Sequence, residues 1–285
     1  MKKLLSFLLL SVLVLALAAC GTKDDANSSS DEGTKDDETK EKVTLKVGAS
    51  HTPHAEILKK AKPILEKEGI ELEIEEYQDY VLPNEDLNNG DLDANYFQHI
   101  PYLEQKVAEE GYDLVNAGGI HIEPIGIYSK KYQSLDELPD GATILISNSI
   151  PDHGRILSLL EANGLIKLKE GIDKTKATLE DIVENPKNLN IEATDAPEMM
   201  VTYYENEEGD AVVINSNFAI DAGINPVKDS IAIEGSESPY VNVIAVRSGD
   251  ENREEIKKLV EVLRSKEIQD FILEEWGGSV VPVSE

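Results

Sequence analysis

The chain has 285 residues, with 56 acidic against 27 basic side chains, a formal charge of −29, and 40% hydrophobic but only 5% aromatic residues. A surface this acidic repels phosphate backbones and excludes nucleic acid as a partner. A single cysteine excludes an intramolecular disulfide, a cysteine-based metal centre and paired-thiol chemistry.

The first segment, residues 1–19, opens on Met1-Lys2-Lys3 and continues as an apolar run from Leu4 to Ala19 broken only by Ser6 and Ser11. The run is shorter than the roughly 20 residues of a spanning helix and reads as an export signal. Its end, Leu17-Ala18-Ala19-Cys20-Gly21, resembles a bacterial lipobox, in which the cysteine is diacylated and becomes the new N-terminus. Cys20 is therefore expected to carry lipid, palmitate included, and to take no part in chemistry. Residues 20–42 continue with Gly, Thr, Ser, Asn, Lys, Asp and Glu, with Ala26 the one apolar residue after the cysteine. Such a stretch cannot bury enough surface to offset chain entropy, so a disordered acidic tether is expected. The remaining 243 residues carry 21 basic and 48 acidic side chains, a net of −27, so the acidity belongs to the globule.

The globule alternates strand and helix patterns. Val43, Leu45 and Val47 alternate with polar residues up to Gly48, and Ile57, Leu58, Ala61, Ile64 and Leu65 follow at helical spacing, with Pro63 predicting a kink or early break. Ile70, Leu72 and Ile74 predict a half-exposed strand. Short helices are expected at Asn84–Asn89 and Pro101–Glu110, and a strand at Leu114–Ile120. After the turn-rich Ser134–Gly141 come a buried-type strand at Ala142–Ile146 and a helix at Asp152–Asn163. A helix near Leu179–Val183, a strand near Leu189–Ala193, a helix near Pro197–Tyr204 and a strand at Ala211–Ile214 complete a second set. Strand Val241–Val246 and helices Asn252–Leu263 and Lys266–Trp276 close the chain. This order predicts an α/β protein with sheets covered on both faces, and no 20–50-residue repeat points to a solenoid or propeller.

The spacings of an esterase elbow, a zincin helix, a dinucleotide loop and a phosphate-binding loop are missing, and no enzyme is expected, although a hydrolase with a site dispersed along the chain stays open. All five histidines, His51, His54, His99, His121 and His153, fall in one third of the chain, and His51 and His54 stand three apart, so a zinc- or manganese-capturing receptor is the alternative reading. Six of the fourteen rings beyond the leader cluster between Tyr77 and Tyr112, which suggests an aromatic-lined pocket or a satellite core built from rings. Arg155 in the first turn of a helix offers a small-anion site, or else pairs with one of the many carboxylates. Asn215 and Asn217 follow the strand Ala211–Ile214 at the end where α/β sheets bind ligands.

Taken together, Asp79-Tyr80-Val81-Leu82-Pro83-Asn84, Asp93-Ala94-Asn95-Tyr96-Phe97-Gln98-His99, Pro101-Tyr102-Leu103, Leu135-Asp136-Glu137-Leu138-Pro139-Asp140-Gly141, Glu184-Asn185-Pro186-Lys187-Asn188-Leu189 and Ser238-Pro239-Tyr240-Val241-Asn242 resemble the methionine-binding lipoproteins of bacterial ABC importers, the MetQ/NlpA family. The resemblance runs from about Val43 to Pro282. It implies a two-lobed periplasmic-binding-protein fold, each lobe a mixed sheet flanked by helices, with the ligand in the interlobe cleft. Residues 43–130 with 238–285 would form lobe one, and residues 131–237 lobe two. It further implies a monomeric receptor without cofactor, lipid-anchored on the extracytoplasmic face of the cell membrane, delivering L-methionine or a close analogue to a permease with a separate ATPase. By similarity, Tyr80, Phe97, His99 and Tyr102 wall the side-chain pocket, Arg155 takes the carboxylate, and Asn148 and Asn215 fix the polar groups. The chain departs from many relatives in the loop Ser147–Gly154 before the arginine, which leaves the ligand's polar end open among methionine, its analogues and methionine-containing dipeptides.

Overall fold

The computed structural model describes residues 42–283, and the signal, Cys20 and nearly all of the tether lie outside them. The first half-lobe runs β1 (Val43–Ser50), α1 (Glu56–Lys67), β2 (Ile70–Tyr77), α2 (Leu82–Asn89), β3 (Ala94–His99), α3 (Ile100–Glu110) and β4 (Leu114–Ile122). The second lobe runs β5 (Gly126–Tyr128), β6 (Thr143–Ile146), α4 (Ile150–Ala162), β7 (Lys167–Leu168), β8 (Ile182–Glu184), β9 (Asn190–Ala193), α5 (Met200–Glu205), β10 (Ala211–Ile214), α6 (Ser216–Asp221), α7 (Pro226–Asp229) and β11 (Ala232–Ile233). The chain then returns to the first lobe with β12 (Val241–Arg247), α8 (Glu254–Leu263), α9 (Lys266–Trp276) and β13 (Val281–Pro282).

Two mixed sheets result, of strand order β13-β4-β12-β3-β1-β2 and β11-β5-β10-β6-β9. Each is covered on both faces. In the first lobe, Leu45, Val47 and Ala49 of β1 are fully buried against Ile57, Leu58 and Leu65 of α1 and Ile256 and Leu259 of α8, while Leu87, Leu103 and Val243 fill the opposite face. The second lobe buries Ile144, Ile146, Leu157 and Leu160 on one face and Tyr128, Met200 and Ile214 on the other. Parallel β1 and β3, and parallel β6 and β10, aim their C-terminal ends at the gap between the sheets, where ligands of α/β proteins bind.

Three sequence expectations need correction. The helix through Pro63 does not break: α1 continues to Lys67, because Pro63 lies on the exposed face, as does Lys59, whose carbonyl the proline leaves without a helical partner. The helix expected near Leu179–Val183 is a single 3₁₀ turn, Leu179–Asp181, closed by Thr178 and Asp181 as a capping box and followed by strand β8. The boundary set at residue 130 falls earlier, since β5 pairs with β10 and β11 in the second sheet. The chain therefore crosses between lobes at Glu123–Ile125 and returns through Glu234–Tyr240. These two segments are tied together by Ile125 N–H donating to Glu234 Oε2 at 3.2 Å and Glu234 N–H donating to the Ile125 carbonyl at 2.9 Å.

Helix α4 sits tightly on the turn at Lys174–Lys176 because Gly154 has no side chain: a Cβ there would meet the Lys174 carbonyl and stand 2.7 Å from that of Thr175. Gly154→Ala is expected to lower the unfolding free energy by about 1–3 kcal/mol, the range for overpacking against a backbone that cannot retreat. Urea denaturation at constant pH measures it, and an unchanged midpoint would show that the turn yields.

Candidate functional site

The gap between the sheets holds a narrow cleft lined by residues of both lobes. Its first wall is aromatic. Strand β3 supplies Phe97, helix α3 supplies Tyr102, and the loop before α2 supplies Tyr80, with ring centroids 5.9–6.0 Å apart. Tyr80 is held by the Tyr102 hydroxyl, which donates to its carbonyl at 2.8 Å, and its own hydroxyl crosses to the second lobe to donate to Asn217 Oδ1 at 2.6 Å. The Phe218 ring of α6 lies 5.0 Å from that of Tyr80, tilted by 31°, so the aromatic contacts draw on both lobes.

The second wall is charged. Arg155, 5% exposed, donates from Nε and Nη2 to Asp152 Oδ1 at 2.8 and 2.5 Å and from Nη1 to the Glu123 carbonyl at 3.3 Å. The Glu234 carboxylate stands 3.7 Å from Nη1, and the Tyr240 ring lies 5.0 Å from the guanidinium carbon. Three of its five N–H groups are thus engaged, and two remain. Burial alone would raise the Asp152 carboxyl, but the adjacent guanidinium and the His99 N–H outweigh it and hold it well below the usual carboxylate range. His99 Nδ1 accepts from the Tyr102 backbone N–H at 3.1 Å, which caps α3 and leaves Nε2–H to donate to Asp152 Oδ1 at 3.0 Å across the cleft.

Between the walls stands Glu123, in the first crossing segment and 6% exposed, with a carboxyl that burial raises and His54 and Arg155 partly bring back. Asn215, Asn217 and Asn242 complete the polar lining. Against Arg155 stand Asp152, Glu234 and Glu123, and with the first two paired to the guanidinium Glu123 is left as the unmatched carboxylate of the cleft. An ammonium group is the complement of that carboxylate, and the two spare guanidinium N–H groups are donors for an anion.

Of the residues singled out from sequence, Tyr80, Phe97, His99, Tyr102, Arg155 and Asn215 line this one cleft. Asn148 does not. It is exposed in a neighbouring groove with Asp79, Val81 and Ile150, its backbone N–H spent on the Asp195 carbonyl, because the loop after β6 turns outward before α4 begins. Arg155 faces a carboxylate, as one reading allowed, but a buried one three residues away rather than one on the surface. Glu123, Gln98, Ser216 and Asn242 were not foreseen. Asn242 had a signal, a lone polar residue inside the apolar strand Val241–Val246, buried to 5%. Glu123 had none, being one carboxylate among 56.

The histidines do not converge. His51 is exposed and pairs with Glu76, His153 bonds the Ser147 carbonyl, and His54 meets His121 and Glu123 instead of His51. The last three could hold a metal ion among the described residues. Their geometry is nevertheless that of a hydrogen-bonded set, with both imidazole Nε2 atoms 2.7–3.1 Å from one carboxylate oxygen.

The profile of the NlpA lipoprotein family matches residues 45–284. The chain belongs to the NlpA lipoprotein family. It is 49% identical, over the full length of both chains, to the methionine-binding lipoprotein MetQ of Bacillus subtilis. Among solved structures, a pheromone cOB1 precursor/lipoprotein of the YaeC family from Enterococcus faecalis is 60% identical with a TM-score of 0.82, covering 84% of this chain and all of that one. A nutrient-binding protein from Burkholderia cenocepacia, bound to methionine, is 43% identical with a TM-score of 0.78, covering 84% of this chain and 99% of that one. The family is one of substrate-binding proteins, the likeness establishes the two-lobed fold, and nothing in it supports a metal receptor.

Acid should loosen this member of the family in a defined window. Burial lowers the pKa of His54 to about 4 and of His121 to about 3, and also lowers that of His99 against the pull of Asp152. All three bind protons less readily folded than unfolded. Stability is therefore full above about pH 6.5 and falls toward pH 4, by up to about 1.4 kcal/mol per pH unit per histidine. Glu123, raised by burial, opposes this at the acidic end but is one group against three. Urea midpoints taken from pH 7 to pH 4 should decline steadily, and a flat profile would mean the histidines are charged in the fold.

Proposed function

We propose that this chain is the extracytoplasmic receptor of an ABC importer, anchored through lipid on Cys20, and that its cleft captures L-methionine or a close analogue. The observation that carries the reading is the pairing, inside one buried cleft, of an aromatic wall with a guanidinium and an unmatched carboxylate. Methionine has the matching parts. Its thioether is soft and polarisable and gains about 0.3–1.5 kcal/mol per ring contact, which Tyr80, Phe97 and Tyr102 offer. Its carboxylate takes the spare N–H groups of Arg155, and its ammonium takes Glu123. Asn215, Asn217 and Asn242 orient both ends. No described helix is long and apolar enough to cross a membrane. In this reading the permease and its ATPase are partner chains, and lobe closure is what the permease reads.

Calorimetry tests the ligand. Titration with L-methionine should give one-site binding, with D-methionine and zinc chloride as comparison injections. Heat with zinc alone would overturn the reading. Arg155→Ala should weaken methionine binding by about 2–5 kcal/mol, since truncation leaves Asp152 and the ligand carboxylate buried without their partner; near-unchanged affinity would place the carboxylate elsewhere. For the anchor, Cys20→Ala should move the protein from the membrane fraction to the soluble one, and retention at the membrane would refute lipid attachment at this residue.

A further inference from the structure

Beneath the cleft floor lies a chain of side chains that touch no ligand in the reading above. Tyr96 of β3 and His121 of β4 are fully buried, and His54, just ahead of α1, is 1% exposed. The Tyr96 hydroxyl bonds His121 Nδ1, so His121 carries its proton on Nε2 and donates to Glu123 Oε1 at 2.7 Å. His54 Nε2 lies 3.0 Å from Asn242 Oδ1 and 3.1 Å from the same Glu123 oxygen. Both neighbours are acceptors, so this nitrogen too must carry the proton, and Nδ1 of His54 is left buried without a partner. The rings are wedged in place, His54 edge-on to Tyr96 at 4.7 Å and to His121 at 5.0 Å with tilt.

Two consequences reach the cleft. Glu123 Oε1 accepts the His121 N–H at 2.7 Å and has His54 Nε2 3.1 Å away, while the Asn217 backbone N–H also supports the carboxylate, whose remaining lone pairs are left for a ligand. Asn242 has its carbonyl turned to His54, so its amide N–H groups face away from His54, and that residue lines the cleft. We propose that His54 and His121 are positioning residues that set specificity for the ligand's α-ammonium group, by holding Glu123 as a ready anionic acceptor and fixing the Asn242 flip. The inference rests on the assignment of Glu123 to the ammonium.

The choice of residue type is what gives the device its selectivity. A buried carboxylate must be hydrogen-bonded or it is costly. Lys or Arg at these positions would satisfy Glu123 but cancel its charge and remove the reason for an ammonium to bind. Neutral imidazoles donate N–H groups while adding no charge, and burial keeps both neutral at physiological pH. The carboxylate is thus supported and still unmatched.

The experiment compares methionine with its des-amino analogue, 4-(methylthio)butanoate, on the intact protein. The wild type should prefer methionine by at least about 100-fold, because a site built around an ammonium is left unpaired by the analogue. His54→Leu and His121→Leu should each reduce that ratio by about tenfold or more, mainly through weaker methionine binding, whereas His54→Gln and His121→Gln, which keep an N–H near the position of Nε2, should restore most of it. Parallel loss of affinity for both ligands, or Gln variants as poor as Leu variants, would show a merely structural role and overturn the inference. A wild type with no preference for methionine would instead remove the assignment of Glu123, and the inference with it. Nitrogen NMR of the wild-type imidazoles gives a readout that needs no variant: both should be neutral Nε2–H tautomers, and an imidazolium or an Nδ1–H form at either site would overturn the arrangement.

Discussion

Arg155 and Asp152 are both almost sealed from water, and a pair in which two guanidinium N–H groups share one carboxylate oxygen is stable only while other groups satisfy what the two leave over. Those other groups come from every part of the fold. His99 reaches Asp152 from the first lobe, Asn215 reaches its second oxygen from the end of β10, and the guanidinium meets the Glu123 carbonyl on one crossing segment and Glu234 and Tyr240 on the other. Parting the lobes would therefore do more than open a gap. It would take the His99 proton away from Asp152 and the Tyr80 hydroxyl away from Asn217, and expose both acceptors to water. The pair thereby links lobe geometry to the electrostatics of the cleft.

The same pair explains why the protein needs so little positive charge. The globule carries a net −27, yet charges on its surface are screened beyond about 8 Å at physiological ionic strength. Inside the cleft, water is largely excluded and nearby charges act at much lower effective dielectric. One guanidinium held at 5% exposure can therefore outweigh dozens of distant carboxylates in selecting an anion. A net-neutral zwitterion suits this arrangement, because its carboxylate and ammonium would meet groups already oriented for them and would leave the long-range field almost unchanged.

Much of the scaffold was legible because periodicity reports burial on one face. β2, α1 and α8 each have one wet side, as does the first half of β1, and their patterns show it. β3 escaped because all six of its residues are buried, so Ala94-Asn95-Tyr96-Phe97-Gln98-His99 shows no alternation, and its polar members are satisfied by partners far away in sequence: Asn95 and Gln98 by Asn84, His99 by Asp152. β5, three residues long, gave too short a pattern to mark the crossing between lobes. Within the site, rings and a lone arginine stood out against a chain poor in both, whereas Glu123 was camouflaged by composition. Asn148, named from motif position, lies in the adjoining groove that Tyr80 and Tyr102 also line.

The placement of Glu123 and Glu234 in the two crossing segments gives the site its final constraint. These segments are the only covalent links between the sheets among the described residues, and they are hydrogen-bonded to one another through Ile125 and Glu234. Any change in lobe angle must be absorbed by a few backbone dihedrals there. Glu123 and Glu234 lie in these segments themselves, whereas Tyr80 and His99 are borne by one lobe and Asp152 by the other, so a change of lobe angle would part the latter from each other. The unmatched negative charge is thus present whether or not the walls have come together, and the aromatic and guanidinium contacts are completed only when they do. A ligand held first by its ammonium and then by its side chain and carboxylate would draw the lobes together, because only the closed arrangement makes all three contacts at once.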